Sequence, residues 1–249
     1  MRLRSLFFAE LKRIIYRPGL YVTSLVSVAL IAVGAGSVVH NSHVFNVWSV
    51  VGVFSALQYP VLVWATSYGA LGYESGDSVK GNYLAGGVWN FVAVRLAAIS
   101  VATLSAMVVA VSVSLGIIVL YALMSGFQIS TDFDAKNTTL LVTTPLLVFW
   151  FMILGFAIGV AARGRALSQT LVSALVFAPY LVFPLINPEL LKFTLLAASS
   201  RLILPDGSVT EGLSLPSIEV AAIILVVATV LSLGAAWARL SVKSTVTAS

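Results

Sequence analysis

Few side chains in this sequence have the type and spacing for chemistry. His40 and His43 are the only histidines and stand three residues apart. No carboxylate lies near them in sequence, so they make a poor metal site and read better as polar residues at a helix end. The chain has no cysteine, which excludes disulfides, thiol chemistry and thiolate metal sites. No phosphate-binding G-x-x-x-x-G-K-[ST] loop occurs, and "VKG" at 79–81 does not complete one. "GAGSVV" at 34–39 lacks the third glycine of a dinucleotide-binding turn, and no H-E-x-x-H is present. Serines abound, but no His, Lys, Asp or Glu lies at the middle of an apolar run to activate one. An ion-coupled carrier usually keeps an ionisable residue at that depth, and there is none. The chain is therefore expected not to be an enzyme, and to hold no metal or cofactor of its own.

What remains is polar but uncharged. Gly52, Ser55, Gln58, Leu62, Thr66 and Gly69 follow one another at helical spacing, as do Gln169, Ser173, Phe177, Tyr180 and Pro184. Gly155 and Gly159 form a GxxxG. Small residues let apolar helices approach, which accounts for the GxxxG. Gln58 and Tyr180 are costly in hydrocarbon unless each meets a partner, water or a substrate. Pro179 and Pro184 leave carbonyls without their usual amide donors. Phe54, Ser55, Gln58, Phe177 and Tyr180 are the candidate substrate pathway. Such a pathway is apolar, with few hydrogen bonds and no fixed charge. It suits an amphiphilic or hydrophobic molecule: a drug, a lipid or a peptide.

The elements that must position these residues cross a membrane. Mean hydropathy is +1.04 and 9% of residues are charged, against about 25% in a soluble domain. The expected fold is all-α, a single polytopic membrane domain over 1–249. The net charge of +5 is no nucleic-acid footprint, because the cations sit at the ends of apolar runs. With about 20 apolar residues needed per crossing, six spans are expected, near 19–39, 47–71, 93–124, 139–162, 166–187 and 217–239. A cytoplasmic N-terminus places Arg2, Arg4, Lys12, Arg13, Arg17, Lys80, Arg95, Arg163, Arg165, Arg239 and Lys243 inside, and only Lys136, Lys192 and Arg201 outside. Both termini are then cytoplasmic. Residues 2–16 carry apolar side chains at helical spacing with charges between them, which predicts an amphipathic helix in the inner interface. Pro18-Gly19 marks the turn into the first span. The outer connection 188–216 contains an apolar stretch too short to cross, expected to dip into the outer leaflet.

The segment 73–90, beginning "YESGDSVKGNYLAG", is the polar exception between two long apolar runs. Charge counting puts it in the cytoplasm. Between Gly72 and Arg95, Val79, Tyr83, Leu84, Val88, Trp89 and Phe91 make the chain too apolar for a solvated linker and predict a short helix that docks on something inside. Glu74, Gly76-Asp77, Leu84 before Ala85-Gly86-Gly87, and Arg95 stand in an order that resembles the type-2 permease family of ATP-binding cassette exporters. "ELKRIIYRPG" at 10–19 resembles that family's entry helix, and the six-span layout is similar over essentially the whole chain. Asp77 stands where the family usually has Thr, and no proline precedes span three. The resemblance implies a coupling segment with Glu74, Gly76, Asp77, Lys80, Tyr83 and Trp89 facing separate ATPase subunits. ATP and Mg would bind to those subunits, and a second permease subunit, identical or different, would complete the transporter. Compact length and small loops suggest a bacterial inner membrane. The alternatives are a secondary transporter or channel, and a non-transporting immunity or anchor subunit.

Overall fold

The computed structural model describes residues 2–42, 44–46, 57–74, 76, 81–82, 84–130, 135–203 and 215–246. Helix α1 is Arg2–Ile15, α2 Pro18–Ser42, α3 Gln58–Glu74 and α4 Val88–Met124. Then come α5 (Ala135–Ala162), α6 (Arg165–Val172), α7 (Ala178–Ile186), α8 (Leu195–Ile203) and α9 (Ile218–Val246). A π-helical turn, Ser173–Phe177, joins α6 to α7, and a 3-10 helix, Pro188–Phe193, precedes α8. Strands β1 (Val44–Asn46) and β2 (Gln128–Ser130) follow α2 and α4. The all-α expectation holds, with one short ladder added.

Among the described residues, three helices are long and apolar enough to cross a membrane: Val88–Met124, Thr138–Ala162 and Ile218–Ser241. In hydrocarbon a helix satisfies its own backbone groups, which is why such runs adopt it. Leu3–Ile15 and Pro18–Gly34 pass the same test together and are bent by 57°. The bend falls at Tyr16-Arg17, and Pro18 opens α2, where its missing N–H costs nothing. The expected spans near 47–71 and 166–187 fall on shorter elements. The start of the first lies outside the described residues, and the second is α6, the π turn and α7 in succession.

The chain divides into two compact units. The first holds Met1–Trp64 and Gly81–Met152, the second Ala65–Lys80 and Ile153–Ser249, so α3 and α5 each give their two ends to different units.

In the first unit α1 and α2 pack along α4. Ala98, Ala102, Ala106, Ala110 and Ser114 are buried on α4 at every fourth position. Van der Waals contact holds helices together in lipid, so a ridge of small side chains is what a close neighbour needs. Helix α2 buries Thr23, Ser27 and Ile31 at the same spacing, and the Ser27 hydroxyl donates to the Thr23 carbonyl at 2.7 Å. Beyond both helices β1 and β2 pair in parallel, Val44 opposite Gln128 and Asn46 opposite Ser130. The C-terminal ends of α2 and α4 therefore lie at one end of this unit. Both strands fall in connections between the expected spans.

In the second unit the C-terminal halves of α3 and α5 touch backbone to backbone. A Cβ on Gly69 would sit 2.5 Å from the Phe156 carbonyl oxygen, and one on Gly159 would clash with the Thr66 carbonyl. The broken helix α6–α7 widens into its π turn just before Pro179, which has no N–H to continue the ladder. The 3-10 helix packs on α7, and α8 on α9.

Candidate functional site

Glu74 ends α3, and it meets the start of α6 in the second unit. The residue before α6 is Gly164, which has no side chain to cap it, so the first N–H groups of the helix need outside acceptors. Glu74 provides one from another helix. Its Oε1 accepts from the Arg165 backbone N–H, and its Oε2 lies 3.2 Å from the Arg165 Nε. A carboxylate also suits the positive end of the helix dipole. Arg163, between α5 and α6, has φ 59°, a left-handed conformation that costs a side-chain-bearing residue about 1–2 kcal/mol. Its side chain makes the offsetting contacts. The guanidinium lies 5.5 Å from the Tyr73 ring centroid and donates to the Arg239 carbonyl on α9. Ends of α3, α5, α6 and a late turn of α9 are thus joined through Glu74 and Arg163. Among the described residues no group of three or more His, Cys, Asp or Glu could hold a metal ion.

The rest of the 73–90 segment is not one helix. Gly76 is exposed, with φ +69°; Asp77, Lys80 and Tyr83 lie outside the described residues. Gly81–Asn82 and Leu84–Ala85 are helical. Gly86 and Gly87, at φ +73° and +151°, reverse the chain, and the Gly87 N–H donates to the Asn82 carbonyl at 2.9 Å. Val88 already begins α4, so exposed Trp89 belongs to the first turn of that long helix and not to a separate short helix.

Two turns into α4, Arg95 is fully buried, with its guanidinium 5.6 Å from the Phe91 ring centroid. Its Nε lies 3.8 Å from Glu10 Oε2 on α1, and Glu10 is also 3.7 Å from Arg13. Gly81 packs so closely on the Phe91 ring that no Cβ fits there. Sequence reasoning placed Arg95 only as a cation entering a span, and Glu10 as one polar residue among several. The signal was present: Glu10 lies three residues after Phe7 and four before Ile14, in the middle of the apolar face of α1.

The pathway residues are distributed over both units. Phe54 and Ser55 lie outside the described residues. Gln58 opens α3 in the first unit and is buried, and its Oε1 has no hydrogen-bond partner among the described residues. Phe177 closes the π turn in the second unit and is half-buried. Tyr180 lies in α7, with its side chain outside the described residues. Thr66 and Gly69, which continue the Gln58 stripe, are spent on contact with α5. Compared with known proteins, the chain matches no family model, no curated protein and no solved structure.

Proposed function

We propose that this chain is the membrane permease subunit of an ATP-binding cassette exporter, moving an amphiphilic or hydrophobic substrate. ATP and Mg are bound by a separate ATPase subunit, and a second permease subunit, identical or different, completes the transporter. The chain crosses a bacterial inner membrane six times, through α2, α3, α4, α5, the broken α6–α7 helix and α9, with both termini in the cytoplasm.

The observation that carries this reading is the junction of Glu74, Arg163 and Arg165. It gathers the inner ends expected of spans two, four, five and six. From it the polar segment beginning at exposed Gly76 departs. Arg163, Arg165 and Arg239 share this end, as the positive-inside bias asks. The parallel β1–β2 ladder supports the same topology, since spans one and three must both run outward. A push delivered to residues 75–87 reaches several helix ends at once through one carboxylate and one guanidinium.

The test is a mild-detergent purification of the tagged chain from its own membranes, with mass spectrometry of what accompanies it. A near-stoichiometric partner with a Walker A sequence is expected. Absence of such a partner, even after cross-linking, overturns the exporter reading.

A further inference from the structure

We infer that the second unit carries a binding site for one acyl chain of a phospholipid from the surrounding bilayer. The site rests on the membrane character of the chain and is independent of the exporter reading.

A cavity of about 360 Å³ lies between α5, the broken α6–α7 helix, the turn entering α8, and α9. That volume falls at the small end of ligand sites, roughly 300–1,000 Å³. Ile158, Val176, Phe183 and Leu231 represent its walls, which carry no charged side chain. Thr194 and Ser232 are the polar residues of the lining, and both hydroxyl protons are used locally. Thr194 Oγ1 donates to the Leu191 carbonyl at 2.8 Å and accepts from the Ala197 N–H at 3.1 Å. Ser232 Oγ lies 2.8 Å from the Ala228 carbonyl and 3.1 Å from that of Thr229. Neither has a proton left for a ligand. With no charged side chain and both hydroxyl protons turned to backbone carbonyls, the walls match hydrocarbon better than a headgroup or an ion.

Its source follows from where the walls lead. Leu231 lines the cavity and is also 67% exposed, so the wall continues onto the outer face of α9. Only 11% of the most apolar stretch of α9 is buried. On a helix that crosses the bilayer, that outer face is in lipid. Leu175 on the broken helix likewise both lines the cavity and lies exposed. An acyl chain anchored by its headgroup at the interface reaches the cavity from this lipid-facing side.

The experiment uses the full chain in nanodiscs of phosphatidylcholine, a fraction of it bearing a diazirine on one acyl chain. After irradiation, adducts are mapped by mass spectrometry. Labels are expected on Val176, Phe183 and Ser232, and are lost in Ala228→Phe and reduced in the milder Ala228→Leu. Labels on outward-facing Val226 and Val230 persist in every variant and report an intact, inserted fold. Two results would overturn the inference: no cavity label in the parent, or undiminished label in Ala228→Phe. Labelling by a diazirine-bearing free amphiphile but not by phosphatidylcholine would overturn the bilayer as the source.

Discussion

Two glutamate–arginine pairs serve the two units, and they differ in surroundings more than in kind. Glu10 and Arg95, 3.8 Å apart, have side chains 8% and 2% exposed. Glu74 and Arg165, 3.2 Å apart, are 39% and 49% exposed. The closer pair is the wetter one. Burial strengthens attraction between charges but also makes each of them expensive without the other. Removing one partner of a buried pair typically costs about 3–5 kcal/mol, whereas an exposed pair contributes roughly 0–1 kcal/mol. The difference separates a frame from a latch. Helix α1 is committed to α4, while breaking the junction at Glu74 costs little, as the proposed coupling role requires.

The largest effect should therefore come from the first pair. Glu10→Leu leaves Arg95 charged inside the first unit and should destabilise it by about 3–5 kcal/mol. The thermal midpoint of the purified protein, or its folded yield in membranes, reads this directly. Adding Arg95→Met should recover most of the loss, because hydrocarbon of similar size replaces a buried pair well. If Glu10→Leu alone melts like its parent, burial does not distinguish the two pairs and the frame-and-latch contrast fails.

Glu74 should show the opposite balance. Glu74→Ala removes the ion pair and the cap on α6, a loss on the order of 1 kcal/mol. Glu74→Gln keeps an acceptor for the Arg165 N–H and should cost less. Function should move much further than stability. In proteoliposomes with the proposed ATPase partner, hydrolysis should continue in Glu74→Ala while transport per ATP falls. Unchanged transport would remove Glu74 from the coupling path. A melting loss as large as that of Glu10→Leu would make it part of the frame.

How much of this was legible depended on whether a contact was local. The bounds of α1 were readable because apolar residues recur at helical spacing up to Pro18. The break near Pro179 was readable from the prolines, though not its form as a π turn. The start of α4 was placed too late, near 93, because hydropathy marks where a chain enters hydrocarbon and not where its helix begins. Trp89 and Asn90 are helical without being strongly apolar. The β1–β2 ladder joins two short stretches far apart in sequence, each unremarkable alone. The Glu10–Arg95 pair hid for the same reason. At the candidate site, Glu74 stood out only through the resemblance to the permease family. Arg163 did not, because the left-handed turn it makes is usually marked by glycine.

A third pair sets the lower limit of the comparison. Glu189 and Lys192 lie just beyond the broken helix, 2.8 Å apart on one turn of 3-10 helix. The hydrogen bond from Lys192, and then its charge, hold the Glu189 carboxyl below its ordinary pKa. A folded-state value below the unfolded one stabilises at pH above the unfolded value and is lost as pH falls through the folded value. Here that contribution should be too small to see, since Glu189 is 65% exposed and water and salt screen the pair. Glu189→Gln should melt like the parent at neutral pH and lose stability along the same curve on the acid side. Melting both proteins across the acid range reads the difference. If the parent shows an acid-side step that Glu189→Gln lacks, an exposed pair is behaving as the buried one should. Geometry rather than burial would then set the worth of all three pairs, and the Glu74 junction would be stiffer than a latch can be.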